Sequence, residues 1–156
     1  MVRVSEQKNI VPLVEPQDHQ SAGIDGDSFH AGRIHSFAIL IQFGQLTGDA
    51  VLTVNSGATA GTKTTAETFT YRLADAAIRS ATADTYGAFT SSASLTLTAA
   101  TYQDKLLIVE MDSDQLTTDQ PWVTINLSSA ASALFVSAVA VCQARFEANI
   151  PLTLIS

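Results

Sequence analysis

Three histidines and a scatter of carboxylates near the start of the chain are the first residues that invite a chemical reading. His19, His30 and His35 stand close in sequence to Asp18, Asp25 and Asp27, and these residue types hold a transition metal when several converge. His30 and His35 are five apart, so on a single strand they would face opposite ways. Exposed or hydrogen-bonded histidines are the simpler reading, and neither a metal nor a cofactor is expected. Asp112, Ser113, Asp114 and Asp119 suggest a calcium loop. The glycine and closing glutamate of an EF-hand loop are missing, however, and aspartates at strand ends commonly bond turn amides.

Nucleophilic chemistry has one candidate stretch, Asp27-Ser28-Phe29-His30. Adjacency in sequence is not triad geometry, and no Gly-x-Ser-x-Gly elbow accompanies it. Gly57 and Gly61 stand four apart with Thr62 between Gly61 and Lys63, which is not the phosphate-cradling spacing of a P-loop. Glu67, Glu110 and Asp112 fall on strands or at their ends, where a carboxylate pair could serve glycoside hydrolysis. Turn-capping or solvated acids are much the simpler reading. No catalytic residue is assigned, and a hydrolase using Asp27, His30 or Glu110 remains an alternative. Trp122, Tyr71, Tyr86, Tyr102 and Phe89 could stack a sugar, although an aromatic in an alternating strand usually packs into a core or interface.

The elements that must position these residues are strands. In Ile34–Phe43, Phe37, Ile39, Ile41 and Phe43 share one face at the period of two, while Ser36, Ala38, Leu40 and Gln42 line the other. That second face is small rather than charged, so a cover is expected over it. Further strands are read at Ala50–Val54, Thr68–Leu73, Ser94–Thr98, Leu106–Met111, Trp122–Leu127 and Leu134–Cys142. Leu106–Met111 is nearly continuously apolar, as a strand buried on both faces would be. Asn55–Lys63 reads as an exposed loop; residues 74–92 are ambiguous, since Asp75–Arg79 could form a helical turn while Thr82, Thr85, Gly87 and Ser91-Ser92 argue for irregular chain. About eight strands without a convincing helix predict an all-β fold: an antiparallel two-sheet sandwich, jelly-roll-like.

Composition agrees with this and narrows the function classes. A chain of 156 residues is long enough to bury roughly 68–70% of its unfolded surface in one domain. Only 15% of residues are charged, well under the usual quarter, and Thr, Ser and Ala are abundant. That balance suits an extracellular, viral or assembly-forming protein better than an enzyme. Net charge is −7 with eight dispersed basic residues, so no patch is available to replace phosphate counterions, and nucleic acid is not an expected partner. No run reaches membrane-spanning length, no signal peptide is visible, and membrane is not an expected partner either. The single cysteine, Cys142, has apolar neighbours and is expected to be a buried, inert thiol.

Both ends are apolar and carry proline. Ile10-Val11-Pro12-Leu13-Val14, stopped by Pro16, is an edge strand at best or an extended arm, because proline removes a ladder donor. Phe146, Ile150, Leu152, Leu154 and Ile155 surround Pro151 in a tail too apolar to stay in water. The expected organisation is an extended N-terminal arm over 1–20, a β-sandwich over 21–147 and a docking tail over 148–156. Ile10, Val11, Leu13, Val14, Phe146, Ile150, Leu152 and Leu154 are the expected interface residues.

Several stretches resemble a known group. Ala50–Ala66 with Phe69-Thr-Tyr-Arg72, then Leu97–Tyr102, Leu107–Asp112, Pro121-Trp122-Val123, and finally Ala138–Cys142 with Ala144-Arg145-Phe146 resemble small virion structural proteins of tailed bacteriophages. The likeness spans roughly residues 20–147 and is greatest to capsid decoration (cement) proteins. Its motifs are structural rather than catalytic. The resemblance implies a non-enzymatic homotrimer on the virion's capsid surface, made in the host cytoplasm. It further implies a subunit that stabilises the shell by gripping the phage major capsid protein with an arm or loop. A tail or head-fibre component, or a carbohydrate-binding β-sandwich module taking a glycan at Trp122 or the tyrosines, is the alternative.

Overall fold

The computed structural model describes residues 3–20, 22–128, 130, 132–145 and 153–155. In chain order the strands are β1 (Lys8–Asp18), β2 (Ile24–Asp25), β3 (Phe29–His30), β4 (Ile34–Leu46), β5 (Ala50–Gly57), β6 (Thr65–Ala66), β7 (Phe69–Leu73), β8 (Thr90–Ser92), β9 (Leu95–Leu97), β10 (Leu106–Asp112), β11 (Trp122–Leu127) and β12 (Leu134–Ala144). Two single-turn helices, α1 (Val4–Gln7) and α2 (Ala99–Tyr102), accompany them. The first sheet has the order β1-β12-β4-β10-β7-β8 and the second β2-β11-β5-β6, with β3 pairing β11 and β9 pairing β5.

All of these pairings are antiparallel. With β6, β7 and β8 set aside as an insertion, the remaining strands run β1-β12-β4-β10 in one sheet and β2/β3-β11-β5-β9 in the other, two interlocked Greek keys. Among the described residues the first strand pairs the last, β4 lies between β12 and β10, and β11 lies between β2 and β5. This is the connectivity of a jelly roll, and β7 and β8 widen its first sheet.

The reason lies in side-chain volume on the two inner faces. Phe37, Ile39, Ile41 and Phe43 of β4 are fully buried or nearly so, on the face that the alternation predicts. They need room, and their ladder partner supplies it: Ala140 is opposite Ile39 and Ala138 opposite Ile41. Large beside small fills the layer without voids. Leu52 and Val54 of β5 and Val123, Ile125 and Leu127 of β11 close the core from the other sheet. Phe29 meets Phe37 edge to face at 5.0 Å, tying β3 to β4 across the sandwich in a geometry favoured by ring quadrupoles.

Of the two readings of the N-terminal apolar run, edge strand or extended arm, the structure has the edge strand. β1 pairs β12 from Lys8↔Gln143 to Asp18↔Phe135, with register shifts after Pro12 and after Val14. Those shifts let a strand containing Pro12 and Pro16 stay in the sheet. Val11, Leu13 and Val14 point into the chain's own core. β10 also departs from its sequence reading. Leu107, Val109 and Met111 are buried, but Leu106 and Ile108 are half-buried and Glu110 is exposed, so only one face is covered.

Candidate functional site

The polar side chains with chemical potential are used in building the sandwich. Ser28 Oγ accepts the Gly61 N–H at 2.8 Å and lies 2.9 Å from Thr124 Oγ1. Neither partner is a base, and Ser28 is buried. These bonds hold the 57–64 loop against the outer face of the second sheet, which buries Thr124. A Cβ on Gly57 would collide with both the side chain and backbone of Thr62, so glycine is what allows the loop to double back there. The stretch read as an exposed loop is exposed at 58–59 and 61–64, but Asn55–Gly57 are buried in β5; Gly61 is anchored to Ser28, and Lys63 pairs with Asp25 across 2.5 Å.

Glu67 is the only buried carboxylate among the described residues. Ser56 Oγ donates to it at 2.5 Å and the Thr117 N–H at 2.8 Å. Burial by itself would raise its pKa, but the Ser56 and Thr117 hydrogen bonds outweigh burial and hold it below the ordinary value of 4.5. Ser56 also stands 2.8 Å from Gln120 Oε1; its single proton serves the charged acceptor. Ser56 is fully buried, so a substrate has no approach to this hydroxyl. The arrangement anchors the segment before β11 to β5. Glu110 and Asp112 lie on the outer side of the first sheet, separated from Glu67 by the sandwich, so no carboxylate pair flanks a common cleft.

The histidines do not converge. His19 bonds the Glu15 carbonyl at 3.1 Å, His35 is exposed on β4, and His30 meets Trp122 edge to face at 5.0 Å. Burial and then the charge of Arg33 push the His30 pKa below the usual histidine range. Among the described residues, no three His, Cys, Asp or Glu side chains are placed to hold a metal ion. Asp112 opens the short helical turn Ser113–Gln115, where its N–H donates to Gln115 Oε1 at 2.9 Å. Cys142 is buried and its thiol is pushed up to about 12 by burial.

The five aromatics form no common platform. Tyr102 is buried edge to face against Phe43 at 6.0 Å, and burial, then the neighbouring Tyr71 phenol, pushes its pKa up to about 12. Tyr71 packs on Phe69. Tyr86 and Phe89 flank the Arg72 guanidinium at 5.6 and 4.6 Å, while Trp122 sits in the opposite sheet. The Arg72 cluster closes the 74–89 segment onto β7: its Nε donates to the Gly87 carbonyl at 3.1 Å, and Ala74 bridges Tyr86.

What distinguishes the molecule is the contrast between its two outer faces. On the second sheet most outward residues are polar, Thr53 and Asn55 on β5 and Thr124 and Asn126 on β11, with Val51 and Trp122 beside them and the 57–64 loop folded over part of the face. On the first sheet two neighbouring rows are largely apolar, flanked by polar ones at Gln143 and Ser36 and at Ser137 and Gln42. Pro12, Val139, Leu40 and Ile108 are register neighbours in one row, and Ile10, Val141, Ala38 and Glu110 form the next. Ile10 is 50% exposed and Phe135, farther along β12, 42%. Sequence periodicity singled out β4's second face as needing a cover; Ala77–Arg79 stand beside it at Gln42 and Ser137, and Ala38, Leu40, Val139 and Ile108 are half-buried.

The expected interface residues fare differently. Val11, Leu13, Val14 and Leu154 are buried in the chain's own core and leave no side chain to present to a partner. Ile10 is exposed, and Phe146, Ile150 and Leu152 lie outside the described residues. In comparisons with known proteins, no family model, curated protein or solved structure matches this chain.

Proposed function

We propose that this protein is a non-enzymatic virion component that decorates and stabilises a tailed-phage capsid through subunit–subunit contacts. The observation that carries the reading is the row of half-buried apolar side chains Val139, Leu40 and Ile108 on the outer face of the first sheet, set against a more polar, partly loop-covered face on the second. Contiguous apolar surface rimmed by polar residues marks a place where protein packs on protein. The polar groups that could react are engaged in holding loops, which favours an architectural role. Jelly rolls recur in capsid proteins and in lectins, so the fold is compatible with the reading without assigning it. The sequence likeness to decoration proteins supplies the direction, with the major capsid protein as partner and the capsid surface as location.

The test is the composition of the particle. Purified virions carrying this gene should contain the protein in stoichiometric amount by quantitative mass spectrometry. Its absence from the particle, or release of a soluble enzyme activity by the isolated protein, would overturn the reading. A fibre or glycan-binding role is separated by a glycan array with Trp122→Ala as control: binding lost in that variant would favour the alternative.

A further inference from the structure

We infer that the apolar outer face of the first sheet is covered by a second copy of this chain, stacked face to face about a twofold axis running along the strands between β12 and β4. This adds a specific partner and symmetry to the subunit contacts proposed above. It rests on the fold and charge placement alone and stands whether or not the protein belongs to a virion.

Charges of opposite sign stand at the two edges of this face. One row at the end of this face reads Lys8, Gln143, Ser36, Asp112 across β1, β12, β4 and β10. Lys8 and Asp112 are three strand spacings apart, about 14 Å, too far for an ion pair. Among the described residues neither Lys8 nor Glu110 has a carboxylate or cationic partner. Lys8, Glu110 and Asp112 line one shallow hollow, with Val141 and Ala38 between them.

A twofold axis along the strands keeps each row in place and reverses the strand order. β1 then lies over β10 of the second copy, and β12 over its β4. Lys8 of each copy faces Asp112 and Glu110 of the other, so two opposite-charge contacts form at symmetry-related positions. The same operation sets Val139 on Leu40, Pro12 on Ile108 and Val141 on Ala38, apolar on apolar, and lays the Ile10 side chain along Glu110, whose carboxylate reaches toward Lys8 in the next row. An isologous contact must be self-complementary, and this face is so in charge at Lys8 and Asp112 and in hydropathy along the Pro12, Val139, Leu40, Ile108 row. Stacked twisted sheets pack in this aligned manner.

The size of the face fixes the expected strength. Four strands give an area about 20 Å wide and about 20 Å long, so two copies bury roughly 800–1,000 Å². That is the size of a weak, reversible complex, with dissociation expected at about 1–100 μM.

Sedimentation velocity and light scattering on the full chain from about 1 to 500 μM test this. The expected result is a monomer–dimer equilibrium. Lys8→Glu or Asp112→Lys alone should weaken it about tenfold or more, and the two together should restore it to within about threefold. Glu110→Lys provides a second carboxylate arm should Asp112→Lys disturb the turn at 113–115, with circular dichroism confirming the fold of each variant. Val139→Lys, which places a cation on the central apolar row, should leave a folded monomer. A monomer at every concentration, a trimer, or a dimer indifferent to both charge reversals would overturn the inference. Because shells are absent, failure here leaves the capsid reading untouched, and absence from virions leaves this dimer untouched.

Discussion

The backbone N–H of His30 donates to the carbonyl of Leu154 at 2.8 Å. The end of the chain is thereby tied to β3, and Leu154 itself is only 3% exposed. A tail read as apolar enough to need docking docks, at this point, on its own domain. Leu154→Ala should therefore lower stability by about 2–3 kcal/mol, the lower part of the range for a buried leucine. Urea unfolding followed by circular dichroism measures it; an unchanged midpoint would show that the contact contributes nothing.

The N-terminal strand should be indispensable to the fold. Removing residues 1–16 takes away Val11, Leu13 and Val14, each worth about 1.5–3 kcal/mol when buried. Their sum approaches the about 5–15 kcal/mol that holds a domain together. It also removes the Leu13 carbonyl that accepts the Asp27 N–H at 2.8 Å. Removing residues 1–7 touches none of this, because α1 buries no residue. The longer deletion should abolish the cooperative thermal transition and the shorter one should leave it within a few degrees.

Acid should weaken the protein through Glu67. Its folded pKa lies below the ordinary 4.5, so its contribution is complete above the unfolded value. The contribution is lost as pH falls through the folded one. Asp25 acts in the same direction: its bond to Lys63 outweighs burial, and Asn126 and the Lys63 charge lower its pKa further. Urea midpoints should hold steady near neutrality and decline below about pH 4.5. Glu67→Gln should be less stable than wild type near pH 7, by about 1–3 kcal/mol, and should show a shallower decline in acid. Parallel curves for the two proteins would contradict the role given to this carboxylate.

Cys142 offers a check on the core. Its thiol is buried and its pKa is pushed up to about 12, so almost no thiolate forms at neutral pH and reagents have no path to it. An aromatic disulfide reagent should modify the native protein only at the rate of unfolding, and the denatured chain at once. Rapid modification of the native protein would show that β12 is more open than its pairing with β1 and β4 requires.

Much of the sandwich is legible in the chain because its signals are local. The alternation through Phe37, Ile39, Ile41 and Phe43 fixes the inner face of β4. Val123, Ile125 and Leu127 do the same for β11, and the two faces of β12 separate as Val136/Ala138/Ala140 and Phe135/Val139/Val141. What the chain hides depends on distant partners. β1 is obscured by Pro12 and Pro16, which read as breakers until β12 accommodates them with register shifts. β2, β3 and β6 are two residues long and take their strand character from β11 and β5. Glu67 reads as an ordinary acid because Ser56 and Thr117 are 11 and 50 residues away. The outer apolar face was half legible: Ala38, Leu40, Val139 and Val141 were visible as second faces of separate strands. Only the register brings Pro12, Val139, Leu40 and Ile108 into one row.

The reading as a decoration protein is tested most directly on expanded shells assembled from the major capsid protein of the genome that encodes this chain. The purified protein is added, cosedimentation is measured against its concentration, and the shells are then heated. Saturable binding, together with a higher temperature of shell disruption, is the predicted result. Protein that stays in the supernatant, leaving the shells to come apart at an unchanged temperature, would contradict it.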